Sequence, residues 1–414
     1  MDRVRLASRA AAMTLAFLFS SAFAALPVHP VVQVLRPTDA EVSNGTTAPP
    51  NAYFGEAIAV YKSMALIGMP ATSTGTVEQT GRVAVFTRQN GVWRRTGTFL
   101  SPAPRSGGHF GRLVALENDG ALIADETRLY VLRYTQANGW KVVQWVHAPN
   151  SDGIVSYPDA VDFRCNSVAV AARTATANIV YLYDRGADGR LQFKARLTPP
   201  THNINEEFGA SLGIDCNLAV IGAPDLSYPT ASSGSAYVYR KINGRWRYRQ
   251  HVIPPDGAPR DRFGSAVAIN HQIIFVGAPS ASASIDLANG TGQVGAVYIF
   301  ASTNGTYGLT DRLHPSADEN DNYDDFGGHL RATDGRLFVQ ASELNFGVSL
   351  RTENLVFTYI RSGGTAQPVG IARGVVEGGD FFASGTRLFV GTPDDQRCFE
   401  CIGKVAVYDI TQTQ

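Results

Sequence analysis

Phe263-Gly264-Ser265-Ala266-Val267-Ala268-Ile269-Asn270-His271-Gln272-Ile273-Ile274-Phe275-Val276-Gly277-Ala278-Pro279 decides the fold. It holds two short runs, Ser265 to Ile269 and Ile273 to Val276, parted by a turn at Asn270-His271. Both runs are apolar on both faces, the pattern of strands covered on each side by other layers. Pro279 ends the second run because proline cannot donate to a strand ladder. Downstream, Ala296-Val297-Tyr298-Ile299-Phe300 reads as a third strand, and Asn304-Gly305 supplies the positive φ angles of a tight hairpin. A fourth strand runs up to Leu313-His314-Pro315. The unit is therefore four antiparallel strands.

The unit repeats. An aromatic-Gly pair recurs near 54, 110, 157, 208, 263, 326 and 377, and a Gly-Ala-Pro-like corner follows fourteen residues after each anchor. Phe208-Gly209 with Gly222-Ala223-Pro224 is as complete as the fifth copy, and Phe54-Gly55 with Gly68-Met69-Pro70 is close to it. The others are worn: Phe110-Gly111 with Ala124, Tyr157-Pro158 with Ala171, Phe326-Gly327 with Gln340, and Glu377-Gly378 with Gly391-Thr392-Pro393. A repeat of about fifty residues made of short strands predicts an all-β, seven-bladed propeller of four-stranded blades. After Lys404 to Tyr408, a third-strand pattern, the last unit lacks its outer strand, whereas Val31-Val32-Gln33-Val34-Leu35-Arg36-Pro37 has the fourth-strand pattern. The N-terminal strand is expected to complete the last blade and so remove both exposed edges.

Phe-Gly followed by Gly-Ala-Pro at this interval resembles the FG-GAP repeat of integrin α-chain propellers and their bacterial relatives. The resemblance implies a seven-bladed propeller outside the cytoplasm that serves adhesion or ligand recognition. It also implies calcium held by an Asp-x-Asp-x-Asp-Gly loop between the first two strands of a blade. Here those turns are Tyr61-Lys62-Ser63, Glu117-Asn118-Asp119-Gly120, Asp215-Cys216-Asn217, Asn270-His271-Gln272 and Thr333-Asp334-Gly335. They are too short and too poor in carboxylates for the six to eight oxygens that calcium takes. The family's calcium motif is absent, and no cofactor is expected, calcium at the acidic loop before Phe326 being the one candidate.

Arg3, Arg5 and Arg9, an apolar run from Ala10 to Phe19, and Ala22-Phe23-Ala24 form the three regions of a secretory signal peptide over 1–24. The remainder, 25–414, is expected to be one propeller domain, exported to the periplasm or beyond, with no segment long enough for a membrane span. The full chain has a formal net charge of zero, and losing three arginines and Asp2 with the leader would leave it near −2. That balance gives no attraction to nucleic acid or an anionic membrane. The implied partner is a protein or a glycan.

The connections from second to third strand and from fourth to the next first strand are long and polar, and in a propeller both sets share one face. Binding is expected there. Charges replace the worn corners, at Asp125, Glu126, Arg173 and Glu343, and follow the intact ones at Asp225, Asp394 and Asp395. These seven would ring the mouth of the central channel. Paired carboxylates there would suit a polysaccharide hydrolase or lyase, the enzyme alternative to a binding module. A purely structural envelope or matrix component is the third alternative. Tyr228, Tyr323 and Phe346 are candidate contact aromatics on the same loops. Asp318, Asp321, Asp324 and Asp325 crowd the approach to Phe326, where a cation would relieve their repulsion. Gly209-Ala210-Ser211-Leu212-Gly213 matches a nucleophile elbow in letters, but it opens a repeat strand rather than a strand-to-helix turn. Four cysteines in an exported chain suggest two disulfides. Cys165 and Cys216 occupy the same turn of adjacent units, where a bridge would staple two blades, and Cys398 with Cys401 would close the last loop. Three connectivities are formally open.

Overall fold

The computed structural model describes residues 26–38, 52–149, 152–175, 178–200, 207–224, 233–282, 294–315, 322–344, 352–362, 365–375, 379–393 and 403–411. Seven antiparallel sheets stand in a ring. Blade one consists of Ile58–Tyr61, Met64–Met69, Arg82–Gln89 and Val92–Leu100, counted from the channel outward. Blades two to five repeat this order, with inner strands Leu113–Glu117, Ile154–Arg164, Ser211–Asp215 and Ala266–Asn270. Blade six departs from the four-strand expectation. Its inner strand is broken at Phe326-Gly327 into Asn322–Asp324 and Leu330–Thr333, both paired to Arg336–Leu344. Blade seven is Phe381–Ser384, Arg387–Thr392 and Lys404–Asp409, closed by Val31–Leu35 in register Leu35↔Val405. Among the described residues, no helix is long and apolar enough to cross a membrane.

The Phe-Gly and Gly-Ala-Pro pieces are two halves of one corner. In the fifth repeat Ser265 N–H donates to Arg262 O at 3.0 Å, and Gly264 sits between them at φ +99°. This is the third place of a type II turn, which favours glycine because φ is positive there. Gly264 N–H then donates to Gly277 O at 2.8 Å. The same bond joins Gly55 to Gly68, Gly111 to Ala124, Gly209 to Gly222 and Gly327 to Gln340, at 2.8 to 3.1 Å. It uses only backbone atoms, so the corner survives where Ala124 or Gln340 has replaced the glycine. Neighbouring blades lock onto it: Gly277 approaches the carbonyl of Gly327 so closely that a Cβ there would lie 1.9 Å from that oxygen.

The core is likewise divided by interfaces. Seven apolar clusters each draw on two consecutive blades, and one of them joins Leu35, Val405 and Val407 of blade seven to Phe54, Ile67 and Trp93 of blade one. Each blade therefore buries its faces only against its neighbours, as a repeat architecture demands. The outer strand of every blade carries a β-bulge, including the N-terminal strand between Val31 and Gln33. These bulges twist the exposed edges away from strand pairing with other chains.

Candidate functional site: the central channel and its mouth

The seven inner strands surround a channel with two contiguous chambers of about 380 and 510 Å³. The smaller is the mouth on the face where the inner strands begin. The residue three places after each anchor lines it: Ala57, Leu113, Ala160, Ser211, Ala266, His329 and Asp380. Five of these positions hold small or apolar side chains or a serine. Blades six and seven alone place an imidazole and a carboxylate there.

Asp380 is the hinge of this cluster. Its Oδ2 accepts the Ile58 N–H of blade one at 2.9 Å, and its Oδ1 lies 3.5 Å from both His329 Nε2 and Arg331 Nη2. Arg331, two residues on from His329, extends over Phe382 at 5.3 Å and has room because Ala115, Gly213 and Ala268 line the channel at its level. Burial pushes the His329 imidazole down to about 4 despite the opposing pull of Asp380, and Arg331 adds to the depression. One third of the ring surface remains open to the channel. Deeper in, Asp162 of blade three accepts the N–H groups of Ile214 at 2.7 Å and Phe163 at 2.9 Å. Burial raises its carboxyl against these bonds and the charge of Arg331.

A second charged group stands on the other side of the mouth. His109 Nδ1 meets Glu126 Oε1 at 2.9 Å, and Arg112 Nε lies 3.7 Å from the same oxygen. Glu56 faces them from blade one. Its carboxyl is raised by burial, with His109 and Arg112 opposing the rise and Glu126 adding to it.

Of the seven expected mouth residues, the side chains of Asp125, Glu126 and Arg173 are described, and they stand in different surroundings. Glu126 belongs to the rim cluster just described. Asp125 is turned inward and only 1% exposed. Its Oδ2 accepts the buried Tyr130 hydroxyl at 2.9 Å, and its Oδ1 takes the N–H groups of Thr127 and Arg128 at 2.8 and 3.0 Å. It ties down a loop and lines no part of the channel. Arg173 is exposed and lies 3.6 Å from Asp159. Asp225, Asp394 and Asp395 lie outside the described residues, as do Asp318, Asp321, Cys398, Cys401, Tyr228 and Phe346. Glu343 pairs with Tyr323 and Asp324 with Ser342 along the backbone, and the side chains of Glu343, Asp324 and Tyr323 lie outside the described residues. Asp325 is exposed and takes φ +58° before Phe326.

On the opposite face, Cys165 and Cys216 form a disulfide between the first turns of blades three and four, with Cα atoms 4.8 Å apart. Asp215 beside them completes the one cluster of metal-ligating atoms among the described residues, but both sulfurs are committed to the bond.

The functional groups missed in the sequence are Glu56, Asp162, His329, Arg331 and Asp380. A signal existed. All lie two, three or five places after an anchor, where a charge interrupts a strand that is small or apolar in the intact repeats. Four of the five come from the worn units three, six and seven.

The FG-GAP repeat family model matches residues 192–239 and 246–300, which frame the intact corners of blades four and five. Blades four and five of this seven-bladed β-propeller carry FG-GAP repeats. The chain is similar in structure to the WD40 domain of Toxoplasma gondii coronin, at 10% identity and a TM-score of 0.51, over 93% of this chain and 89% of that one. That likeness concerns the fold alone. A Lactobacillus plantarum protein is similar at 13% identity and a TM-score of 0.47, over 77% of this chain and 87% of that one. A candidate 6-phosphogluconolactonase from Bacteroides uniformis is similar at 11% identity and 0.45, over 79% and 90%. No curated protein sequence matches the chain.

Proposed function

We propose that the chain is an exported recognition module that binds a protein or surface glycan on the face where the inner strands begin, gripping polar groups at the channel mouth. The observation that carries this reading is the departure from repeat symmetry at one ring of positions, where His329 and Asp380 replace the small residues of the other blades. The charges there are already balanced: Arg331 faces Asp380, and Arg112 faces Glu126. A mouth of paired charges offers many hydrogen-bond donors and acceptors with little net field, which suits a hydroxyl-rich or peptide ligand. Export is supported by the leader pattern over 1–24 and by the Cys165–Cys216 bridge, since such bonds persist in oxidising compartments. The test is binding of the purified chain to glycan and matrix-protein arrays, in calcium and in a chelator, beside Arg331→Gln and Asp380→Asn. Loss of hits in these variants is expected. Hits that persist unchanged would remove the channel mouth from the proposal, and silence of the wild-type chain would favour a structural component.

One observation favours a second reading, hydrolysis or cleavage of a polysaccharide. Glu56, whose carboxyl is raised by burial, shares the mouth with Asp380. Two carboxyls in one concavity, one of them inclined to keep its proton, is the pattern that acid catalysis uses. Release of reducing ends or unsaturated products from a polysaccharide panel, abolished by Glu56→Gln, would establish it.

A further inference from the structure

We infer that the cleft between blades five and six, on the face carrying the short turns, is a binding site for an oxyanion borne on an apolar body. The propeller repeats a pattern of cations and here leaves it incomplete.

Arg185, Lys241 and Arg361 are equivalent. Each lies in the last two places of the third strand of its blade and donates its N–H to the first turn of that blade, at Asn166 O, Asn217 O and Gly335 O. In blades three and four the side chain reaches back to an acid on the preceding blade. Arg185 Nη1 bonds Asp119 Oδ1 at 2.7 Å, and Lys241 Nζ bonds Asp184 Oδ1 at 2.5 Å. For Arg361, the residues of blade five at those two places are Gln272 and Ala301. Both carboxylates are missing.

Arg336 shows the same loss within one blade. Its counterpart Arg387 pairs in register with Asp409 and bonds it at 2.7 Å. Arg336 pairs in register with Ile360. Among the described residues neither Arg336 nor Arg361 has an ion-pair partner, and the Nε of each is buried without a hydrogen bond. Asp311, which borders the cleft, is occupied by the N–H groups of Arg312 and Ala366 at 2.9 and 3.0 Å.

The two guanidinium groups line one cleft of about 430 Å³ together with Asn270 and His271, and Phe275 and Tyr359 contribute apolar wall. Paired guanidinium forks match the oxygen geometry of a carboxylate, sulfate or phosphate. The volume is that of a small organic ligand. The site therefore takes an anionic head against the arginines and lays an aromatic or aliphatic body along Phe275 and Tyr359.

The experiment is calorimetric titration of the full chain with phenyl phosphate, with benzoate and with uncharged benzyl alcohol at low salt. Saturable binding of at least one anion is expected, and the stronger of the two identifies the head group. Arg361→Gln and Arg336→Gln should each weaken it about tenfold or more. Ala301→Asp restores the acid that Asp184 supplies in blade three. It should pair Arg361 internally, weaken the anion by a similar factor and raise the melting temperature, which a merely damaged fold would not do. The inference is overturned if neither anion saturates below about 10 mM, if benzyl alcohol binds as well as the anions, or if Ala301→Asp leaves binding within twofold of wild type.

Discussion

Gln33 holds the main chain of Trp93 at both ends: its Nε2 donates to Trp93 O at 2.6 Å and its Oε1 accepts Trp93 N–H at 2.9 Å. The two residues are sixty apart in sequence and belong to the N-terminal strand and to the outer strand of blade one. Gln144 with Leu191 and Gln250 with Tyr307 make the same double contact between blades two and three and between blades four and five. The seam where the ring closes is thus built like two of the other interfaces. Gln33→Ala should cost about 1–3 kcal/mol, the range for stranding a shielded backbone donor. Guanidinium unfolding of Gln33→Ala beside Gln144→Ala checks it, with similar losses expected. No loss at Gln33 would mean that the seam does not limit stability.

Gly277→Ala should be far more harmful than Gly91→Ala. The added Cβ would meet Gly327 O at 1.9 Å, whereas at Gly91, with φ +83°, nothing lies within 4 Å. The first change forces two blades apart and is expected to cost about 3 kcal/mol or more. The second carries only the left-handed strain of about 1–2 kcal/mol. Equal melting temperatures for the two variants would contradict the close approach.

Asp125→Ala should destabilise the chain by about 3–5 kcal/mol, because it leaves the Tyr130 hydroxyl and the charges of Arg105 and Arg128 without their shared partner. Any enzyme activity should survive in the fraction that folds. A stable variant with altered binding would instead return Asp125 to the functional surface.

His329 makes stability depend on acid. Its pKa falls from an ordinary 6.5 to about 4 on folding. Between these values the folded chain binds fewer protons than the unfolded one, so a contribution present above pH 6.5 is lost as pH falls toward 4. Asp162, raised on folding, works in the opposite sense below neutrality. Subtracting the profile of His329→Gln from that of wild type isolates the histidine. The difference should grow as pH rises from 4 to 6.5, and a flat difference would mean that the imidazole titrates as if exposed.

Reduction of Cys165–Cys216, or the double change to serine, should lower stability by about 2–4 kcal/mol, since the bond closes a loop of 51 residues. Denaturant midpoints with and without reductant measure it. Binding on the opposite face should not change.

Much of this molecule was legible in the chain because its corners are made by backbone atoms. The turn at Gly264 and the bond from Gly264 to Gly277 require a fixed count of residues and a glycine at positive φ, and both leave marks in the letters. The bridge of Cys165 to Cys216 was legible for the same reason, since equal places in adjacent repeats are neighbours in space. The site was less so. Asp125 and Glu126 are adjacent and equally acidic, yet one is buried beneath Tyr130 and the other meets His109 at the rim. Alternation sends adjacent residues to opposite surroundings, but the letters alone do not say which of the two turns inward.

By itself the sequence determined the repeat length, the seven blades, the strand order and the closing role of Val31–Leu35, since each follows from local turns and period. Only the tertiary structure decided that Asp380 meets His329 and Arg331 across two blades, and that Arg336 and Arg361 share a cleft with no ion-pair partner among the described residues. Such groupings depend on how neighbouring blades face one another around the ring. The residues involved are far apart along the chain, and no local pattern encodes the distance between them.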